Sequence, residues 1–413
     1  MQRELLHDHP DVAATLNNLA EAVRLGAGGP EPAAELYSEA LAMFRRLLGD
    51  EHPSVAMTLR NLAAARLAQH RPDEAESAQR EALAIYRKAL GDDGEPATRL
   101  ALALADTVAA RGRRAEATDL LTDQYRRVIA LPDHSPADEA NLCQHIVAFF
   151  RAAGEHARVA EWQLRLRSAE HRDVERDVAQ SAADVRLRPE NPDALASRAH
   201  AYLRAGRFED AAADLGRAIA VGCRDHWVWY NRACLLAYLG DSVGYAGHCR
   251  AMWDRFGQET GRPAVRVAKA CLLLPGSGID PSEPARAADL ALAADAQATN
   301  LAWDHMARGI AACRTDDPAA AIDHLTKARN GMNNAAGRLG IDFYTAIALH
   351  HLGRDEEARA GFDRAAAAMA TDMPQPGDGD LGESGVDNWL ICHTAFREAQ
   401  NLLAAPPTSA AGR

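Results

Sequence analysis

Residues 9–20 read HPDVAATLNNLA, and residues 52–63 repeat the pattern as HPSVAMTLRNLA. A second pair of matching runs follows, EALAMF at residues 39–44 and EALAIY at residues 81–86. The offset is 43 residues in the first pair and 42 in the second, so the connecting loops differ by one residue. A fixed period of this size is typical of a repeat architecture, in which each unit stacks on its neighbours.

Each copy predicts two helices joined by a turn. Apolar residues with the i, i+3, i+4, i+7 spacing of one helical face recur at positions 16, 19, 20 and 23, and again at 37, 40, 41 and 44. Proline suits the first turn of a helix, where no N–H is needed, so the His-Pro pairs at 9–10 and 52–53 indicate helix starts. One such hairpin cannot bury its apolar face alone, and we therefore expect the hairpins to stack.

These residues resemble a known repeat. The small side chains of Ala33, Ala40, Ala75 and Ala82 match the tetratricopeptide repeat, and the His-Pro opener with the TLNNLA run resembles the longer variant found in kinesin light chain. The resemblance implies an all-α fold, a right-handed solenoid of about eight helix–turn–helix hairpins with a C-terminal capping helix. It also implies a groove that binds protein segments, although such repeats take many unrelated partners.

The rest of the chain continues the pattern with a change of period. We predict the following organisation: a kinesin-light-chain-like array over 1–170, a polar helical hinge over 171–190, an array with a period of about 34 residues over 191–372, a loop over 373–385, a capping helix over 386–404 and a disordered tail over 405–413. Arg3-Glu4-Leu5-Leu6 matches Arg45-Arg46-Leu47-Leu48, so we expect the chain to open on the cut edge of an incomplete repeat; a short capping helix is the alternative.

The second half carries another resemblance. The runs HWVWY at 226–230, AKACLLLPG at 268–276 and ALHHLG at 348–353 look like the repeat region that follows the kinase domain in large serine/threonine kinases of planctomycete-type bacteria. This similarity covers about residues 185–370, and the chain itself carries no Gly-rich phosphate loop, His-Arg-Asp loop or Asp-Phe-Gly motif. The resemblance implies a repeat module separated from a catalytic partner.

The composition argues against several classes of function. The net charge of −12 argues against a nucleic-acid or anionic-membrane surface, and no run of eighteen apolar residues predicts a membrane span. The seven cysteines form no Cys-x-x-Cys pair, which favours reduced thiols and a cytoplasmic location. We expect no cofactor and no metal: Cys223, His226, His248 and Cys249 carry zinc-binding side chains, but buried inert cysteines explain them better.

A line of asparagines is the main candidate site. Asn18 and Asn61 occupy the same repeat position, and Asn231 occupies it in the second array. In related repeat domains an asparagine at this position hydrogen-bonds the backbone or terminal carboxylate of a bound peptide; the alternative is a helix asparagine in contact with solvent. An amide both donates and accepts, so it can bind an extended backbone of any sequence. Positive charge near these asparagines would come from Arg24, Arg60, Arg66 and Arg266.

Three functional hypotheses follow from the sequence. The first is a non-catalytic scaffold that binds protein or peptide segments in its groove. The second is a regulatory or substrate-docking module of a bacterial serine/threonine kinase whose kinase domain is absent from this chain. The third is an enzyme, and no Ser/His/Asp or Cys/His motif stands in a context that supports it.

Overall fold

The protein is all-helical in the residues described by the computed structural model, which are 9–26, 28–91, 95–257, 262–294, 301–375, 381 and 385–404. The first eight helices are α1 (Pro10–Leu25), α2 (Pro30–Leu48), α3 (Pro53–Ala68), α4 (Pro72–Leu90), α5 (Glu95–Ala110), α6 (Arg114–Ile129), α7 (Pro136–Ala152) and α8 (His156–Leu187). The remaining helices are α9 (Pro192–Arg204), α10 (Phe208–Ala220), α11 (His226–Leu239), α12 (Ser242–Phe256), α13 (Arg262–Cys271), α14 (Ser282–Ala294), α15 (Leu301–Arg314), α16 (Pro318–Gly331), α17 (Ala335–His351), α18 (Asp355–Asp372) and α19 (Val386–Ala404).

The chain divides into two compact units, Met1–Glu170 and His171–Arg413. In the described ranges the first eighteen helices follow one another as nine helix–turn–helix pairs, and consecutive pairs pack side by side within each unit. Each unit has its own main apolar core. This arrangement confirms the predicted all-α repeat fold, whereas the right-handed twist stays a prediction.

Alanines at the repeat positions allow the two helices of each hairpin to approach closely. Ala33, Ala75 and Ala117 open the second helices of the first three hairpins, and each is fully buried. Ala40 and Ala82, two turns further on, are also fully buried. A larger side chain at these positions would force the paired helices apart, because protein interiors leave few voids.

The His-Pro pairs begin helices as the sequence predicts. Pro10 and Pro53 are the first residues of α1 and α3, and the preceding histidines are the N-caps. The ring Nδ1 of His9 accepts a hydrogen bond from the backbone N–H of Asp11 at 3.3 Å, and that of His52 accepts one from Ser54 at 3.1 Å. Each imidazole therefore takes the role that a serine or aspartate side chain usually plays at a helix start.

Segment 171–190, the predicted polar hinge, is helical as far as Leu187, where α8 ends. Three of its side chains, Val174, Val178 and Val185, are buried, and Asp177 pairs with the buried Arg204 at the end of α9. The polar segment therefore contains a narrow stripe of buried valines, of which Val185 belongs to the core of the second unit.

The predicted capping helix forms as α19, but its packing extends beyond the last hairpin. It contacts α17 and α18 and also reaches back to α11, in the hairpin three before the last one. The predicted cut edge at Leu5 and Leu6, the tail over 405–413 and most of the predicted loop over 373–385 lie outside the described residues. Among the helices that are described, none combines the length and apolarity needed to cross a membrane.

Candidate functional site

Several first helices of neighbouring hairpins contact one another and form a layer in each unit. In the first unit α1 contacts α3, and α5 contacts α7; in the second unit α11, α13, α15 and α17 follow in one line of contacts. The predicted site residues lie on this layer: Asn18 and Arg24 on α1, Asn61 and its two neighbouring arginines on α3, Asn231 on α11 and Arg266 on α13.

The asparagine contact between α1 and α3 involves Asn17 rather than Asn18. The amide Nδ2 of Asn61 donates to Oδ1 of Asn17 at 3.2 Å, and its own Oδ1 accepts from Nε and Nη2 of Arg60 at 3.4 and 3.3 Å. Asn17 is buried, whereas Asn18 is exposed. Asn61 thus joins two repeats, while Asn18 is available to a partner. The repeat position pointed to Asn18 and not to Asn17, although the doubled asparagine was a visible signal.

Two of the three predicted arginines in the first unit have carboxylate partners. Arg24 donates to Glu21 at 2.7 and 2.9 Å, and Tyr37 donates to the same carboxylate at 2.5 Å. The hydrogen bond from Arg24, helped by that from Tyr37, outweighs burial and lowers the pKa of Glu21 to about 2. Arg66 lies 3.2 Å from Glu74 and donates to Gln69.

Arg60 differs from both neighbours. Its guanidinium is half-buried and donates to the neutral amide of Asn61, and no carboxylate of the described residues pairs with it. The charge of Arg60 helps to lower the pKa of Glu21, but the two side chains form no ion pair, so the guanidinium can still bind an anionic group of a partner. On the layer of first helices, Asn18 and Arg60 are therefore the predicted residues best placed to bind a ligand.

The second unit brings Arg266 to a cavity of about 310 Å³. Its guanidinium lies 3.9 Å from the ring centroid of Trp227 and contacts Nε2 of His226 at 2.7 Å. The cavity is also lined by Tyr230, Lys269, Trp303, Asp304 and Asp387, with contributions from Val265, Asn333, Asn334 and Asn388. Asn231 is half-buried on α11 and is not among these lining residues.

Lys269 was not predicted as a site residue. It is 6% exposed, and its ammonium lies 4.9 Å from the ring centroid of Trp303 and 5.3 Å from that of Tyr230. Burial lowers the pKa of this ammonium, and the carboxylate of Asp387 opposes the shift. The signal in the sequence was the lysine inside the otherwise apolar run at 267–274, where a charge has no obvious place.

The cysteines and histidines with zinc-binding side chains at 223–249 have other contacts. Cys223, Cys249 and His248 are buried. Nε2 of His248 contacts the carbonyl oxygen of Trp229 at 2.8 Å. The other ring nitrogen of His248 contacts Arg232 at 3.1 Å. Burial lowers the pKa of His248 to about 4. No group of three metal-binding side chains occurs in the part of the chain that the structure describes.

Helix α19 covers part of the layer of first helices in the second unit. Trp389 is 2% exposed and stacks on Phe208 with the ring centroids 5.4 Å apart, and Tyr238 of α11 packs beside both rings. Further along α19, Glu398 pairs with Arg314 at the end of α15. A partner would meet α19, and not only the first helices, on this face of the second unit.

The tetratricopeptide repeat family model matches residues 28–88 and 54–127. These segments are therefore tetratricopeptide repeats, as the sequence predicts. No curated protein matches the chain. None of the comparisons supports the predicted resemblance of residues 185–370 to kinase-associated repeats.

Several solved structures are similar to parts of the chain. Repeats of a putative kinesin light chain from Podospora anserina are 24% identical, with 52% of this chain and 95% of that chain covered and a TM-score of 0.31. A tetratricopeptide repeat protein from Parabacteroides merdae is 13% identical, with coverages of 82% and 98% and a TM-score of 0.33. The Cut9–Hcn1 hetero-tetramer of the APC/C is 15% identical, with coverages of 85% and 72% and a TM-score of 0.37. Similarities at this level assign no function.

Proposed function

We propose that the protein is a non-catalytic scaffold that binds extended protein segments on the first helices of its first unit. The observation that carries the proposal is the pair of side chains on α1 and α3, the exposed Asn18 and the half-buried Arg60 without a carboxylate partner among the described residues. Tetratricopeptide repeats generally act through protein–protein contacts, which supports the same class of function. In the second unit α19 already lies over α11 and α17, so the first unit offers the more accessible layer.

The two side chains would have different roles in binding. The amide of Asn18 can donate to and accept from a peptide backbone, so it binds an extended segment whatever its side chains. The guanidinium of Arg60 would favour an acidic residue in that segment. Because this charge interaction is partly exposed, we expect affinity to fall as the salt concentration rises.

The kinase-associated hypothesis stays a prediction. It would make the same repeats a docking or regulatory module for a bacterial serine/threonine kinase, and no feature of the described residues favours it over a general scaffold. An intact kinase reading frame beside this coding sequence would favour that hypothesis.

An array of acidic peptides tests the proposed function. We expect Asn18→Ala and Arg60→Gln each to weaken binding by roughly three- to tenfold, since one net hydrogen bond contributes about 0.5–1.5 kcal/mol. Arg60→Gln should also reduce the salt dependence, and neither variant should lower the melting temperature appreciably.

Two further variants separate binding from folding. Arg126→Gln changes an exposed arginine on α6, a second helix of the same unit, and should leave peptide binding unchanged. Asn61→Ala removes the contact with Asn17 between two repeats and should lower the melting temperature. Equal peptide binding by wild type, Asn18→Ala and Arg60→Gln, all equally folded, would reject the proposal.

A further inference from the structure

The cavity beside Arg266 belongs wholly to the second unit and is lined by several elements. Tyr230 comes from α11, Lys269 from α13, Trp303 from α15 and Asp387 from the first turn of α19. Its volume of about 310 Å³ lies at the lower end of the range for small-molecule pockets, roughly 300–1,000 Å³. A small molecule, and not a long segment of chain, fits a space of this size.

The ammonium of Lys269 is buried and faces two aromatic rings. Among the residues that the structure describes, its contacts are with the rings of Tyr230 and Trp303, and none accepts a hydrogen bond from it or forms an ion pair with it. A buried charge of this kind is costly unless an anion or several hydrogen bonds compensate for it. An anion in the cavity would supply that compensation and would oppose the effect of burial on the pKa of Lys269.

The composition of the chain makes this lysine unusual. The sequence contains only three lysines, Lys88, Lys269 and Lys327, whereas arginine accounts for the other 43 basic residues. Lys88 and Lys327 are exposed and pair with carboxylates, Glu51 and Asp323 respectively. Lysine therefore occurs at a buried place only where it lines the cavity.

The aromatic side chains that line the cavity indicate the chemistry of the rest of the ligand. Trp227 and Tyr230 meet edge to face with their ring centroids 5.6 Å apart, and Trp303 approaches from α15. Such walls favour a planar apolar body. A cationic ligand fits poorly, because Lys269 and Arg266 already lie against these rings and would repel a further positive charge.

We propose that this cavity binds a small free aryl carboxylate, with the carboxylate on the ammonium of Lys269 and the ring against Trp227, Tyr230 and Trp303. Asp387, which accepts a hydrogen bond from the hydroxyl of Tyr230 at 3.2 Å, fixes that ring in place from α19. The site is separate from Asn18 and Arg60, so this proposal does not depend on the proposed peptide binding.

Calorimetric titration with matched pairs of acids and amides tests the proposal. Benzoate, phenylacetate and indole-3-acetate would be compared with their neutral carboxamides on the full chain. We expect at least one acid to bind and its carboxamide to bind at least tenfold more weakly. Lys269→Met should remove the preference for the acid, whereas Lys327→Met, a change of an exposed lysine in the same unit, should retain it. Failure of all three acids to bind, or equal affinity for acids and amides, would overturn the proposal.

Amine labelling with mass spectrometry gives a second readout that does not depend on a variant. A small acylating reagent would be applied with and without the bound acid. We expect the acid to protect Lys269 while the labelling of Lys88 and Lys327 stays constant. Uniform protection, or none at saturating acid, would contradict the assigned position.

A third arm identifies the source of the carboxylate. The peptide Gly-Gly-Phe with a free C-terminus would be compared with its C-terminal amide. Binding of the peptide acid together with failure of all the free acids would reject a small-molecule ligand and assign the cavity to chain termini instead. Asn18→Ala should bind the free acids like wild type, which distinguishes this site from the peptide-binding layer.

Discussion

At the scale of single residues, the contacts between neighbouring repeats in the first unit converge on Glu76. This carboxylate on α4 is 8% exposed and accepts hydrogen bonds from Arg80 on its own helix and from Arg111 and Arg113 at the turn between α5 and α6. Burial by itself would raise the pKa of Glu76, but the hydrogen bonds of Arg113 and Arg80 lower it below the usual value. One carboxylate thus fixes the position of the next repeat.

Glu76→Gln should lower the free energy of unfolding of the first unit by about 1–3 kcal/mol at pH 7, because it leaves three guanidinium groups without their shared charge. A carboxyl group with a lowered folded-state pKa stabilises the protein above its unfolded pKa of about 4.3, and this stabilisation is lost as the pH falls through the folded value. Urea unfolding of both forms at pH 7 and at progressively lower pH measures the difference.

The control for this prediction is Glu51→Gln, which changes an exposed carboxylate paired with Lys88 and should cost less than about 1 kcal/mol. A difference between wild type and Glu76→Gln that grows as the pH falls from 5 to 3 would contradict the assigned role.

At the scale of secondary-structure elements, seven of the hairpins end their first helix in the same way, at a residue with positive φ. Five of these residues are glycines, as at Gly112 and Gly206, and the others are His70 and Asp316. The next backbone N–H then reaches back to a carbonyl near the end of the first helix, as in Arg113 to Val108 at 3.2 Å and Arg207 to Tyr202 at 2.8 Å. This is the Schellman pattern of helix termination, and it recurs in these seven hairpins.

A different kind of contact holds α19. Arg314 donates to the carbonyl oxygens of Leu272 and Leu273, just beyond the end of α13, both at 2.9 Å, and pairs with Glu398 of α19. The side chains of Arg314 and Glu398 are 7% and 14% exposed. One guanidinium therefore joins α13, α15 and α19, and the pair is shielded from water.

Glu398→Ala should lower the free energy of unfolding of the second unit by about 3–5 kcal/mol, since it leaves the buried charge of Arg314 uncompensated. Amide exchange in α19 should accelerate before that in α15, because α19 loses its main polar anchor. Glu356→Ala, at an exposed position on α18, should cost less than about 0.5 kcal/mol. If the two variants are equally stable and α19 stays protected, the ion pair is not what holds this helix.

At the scale of the whole molecule, the two units have separate cores. Leu104 is buried in the core of the first unit and Phe343 in that of the second. In a repeat protein, stability is mainly the sum of each repeat and its contacts with its neighbours. The main apolar core clusters share no residue, so damage to one unit should leave the other folded.

We expect Leu104→Ala to cost about 2–5 kcal/mol and Phe343→Ala about 3–5 kcal/mol, each confined to its own unit. Hydrogen exchange read by mass spectrometry should show lost protection in α3 to α6 for the first variant and in α15 to α19 for the second. Loss of protection across the whole chain in either variant would show that the units unfold as one.

The sequence by itself determined the repeat. The spacing of apolar residues, the His-Pro starts and the alanines at 33, 40, 75 and 82 depend on local geometry, because a helix presents residues three and four apart on one face. The hairpins and their stacking follow from these local signals. The asparagine position was also visible in the repeat, but not which of Asn17 and Asn18 would be buried.

Only the tertiary structure decided where α19 lies on the layer of first helices and where the cavity forms. The position of α19 depends on Trp389 meeting Phe208 and on Glu398 meeting Arg314, contacts between residues far apart in the chain that no local period encodes. The cavity also depends on the tertiary structure, because Lys269 lines it together with Tyr230, Trp303 and Asp387, which lie on three other helices. A periodic pattern specifies which face of a helix is apolar, whereas the burial of a charge is set by the side chains that the whole fold places around it.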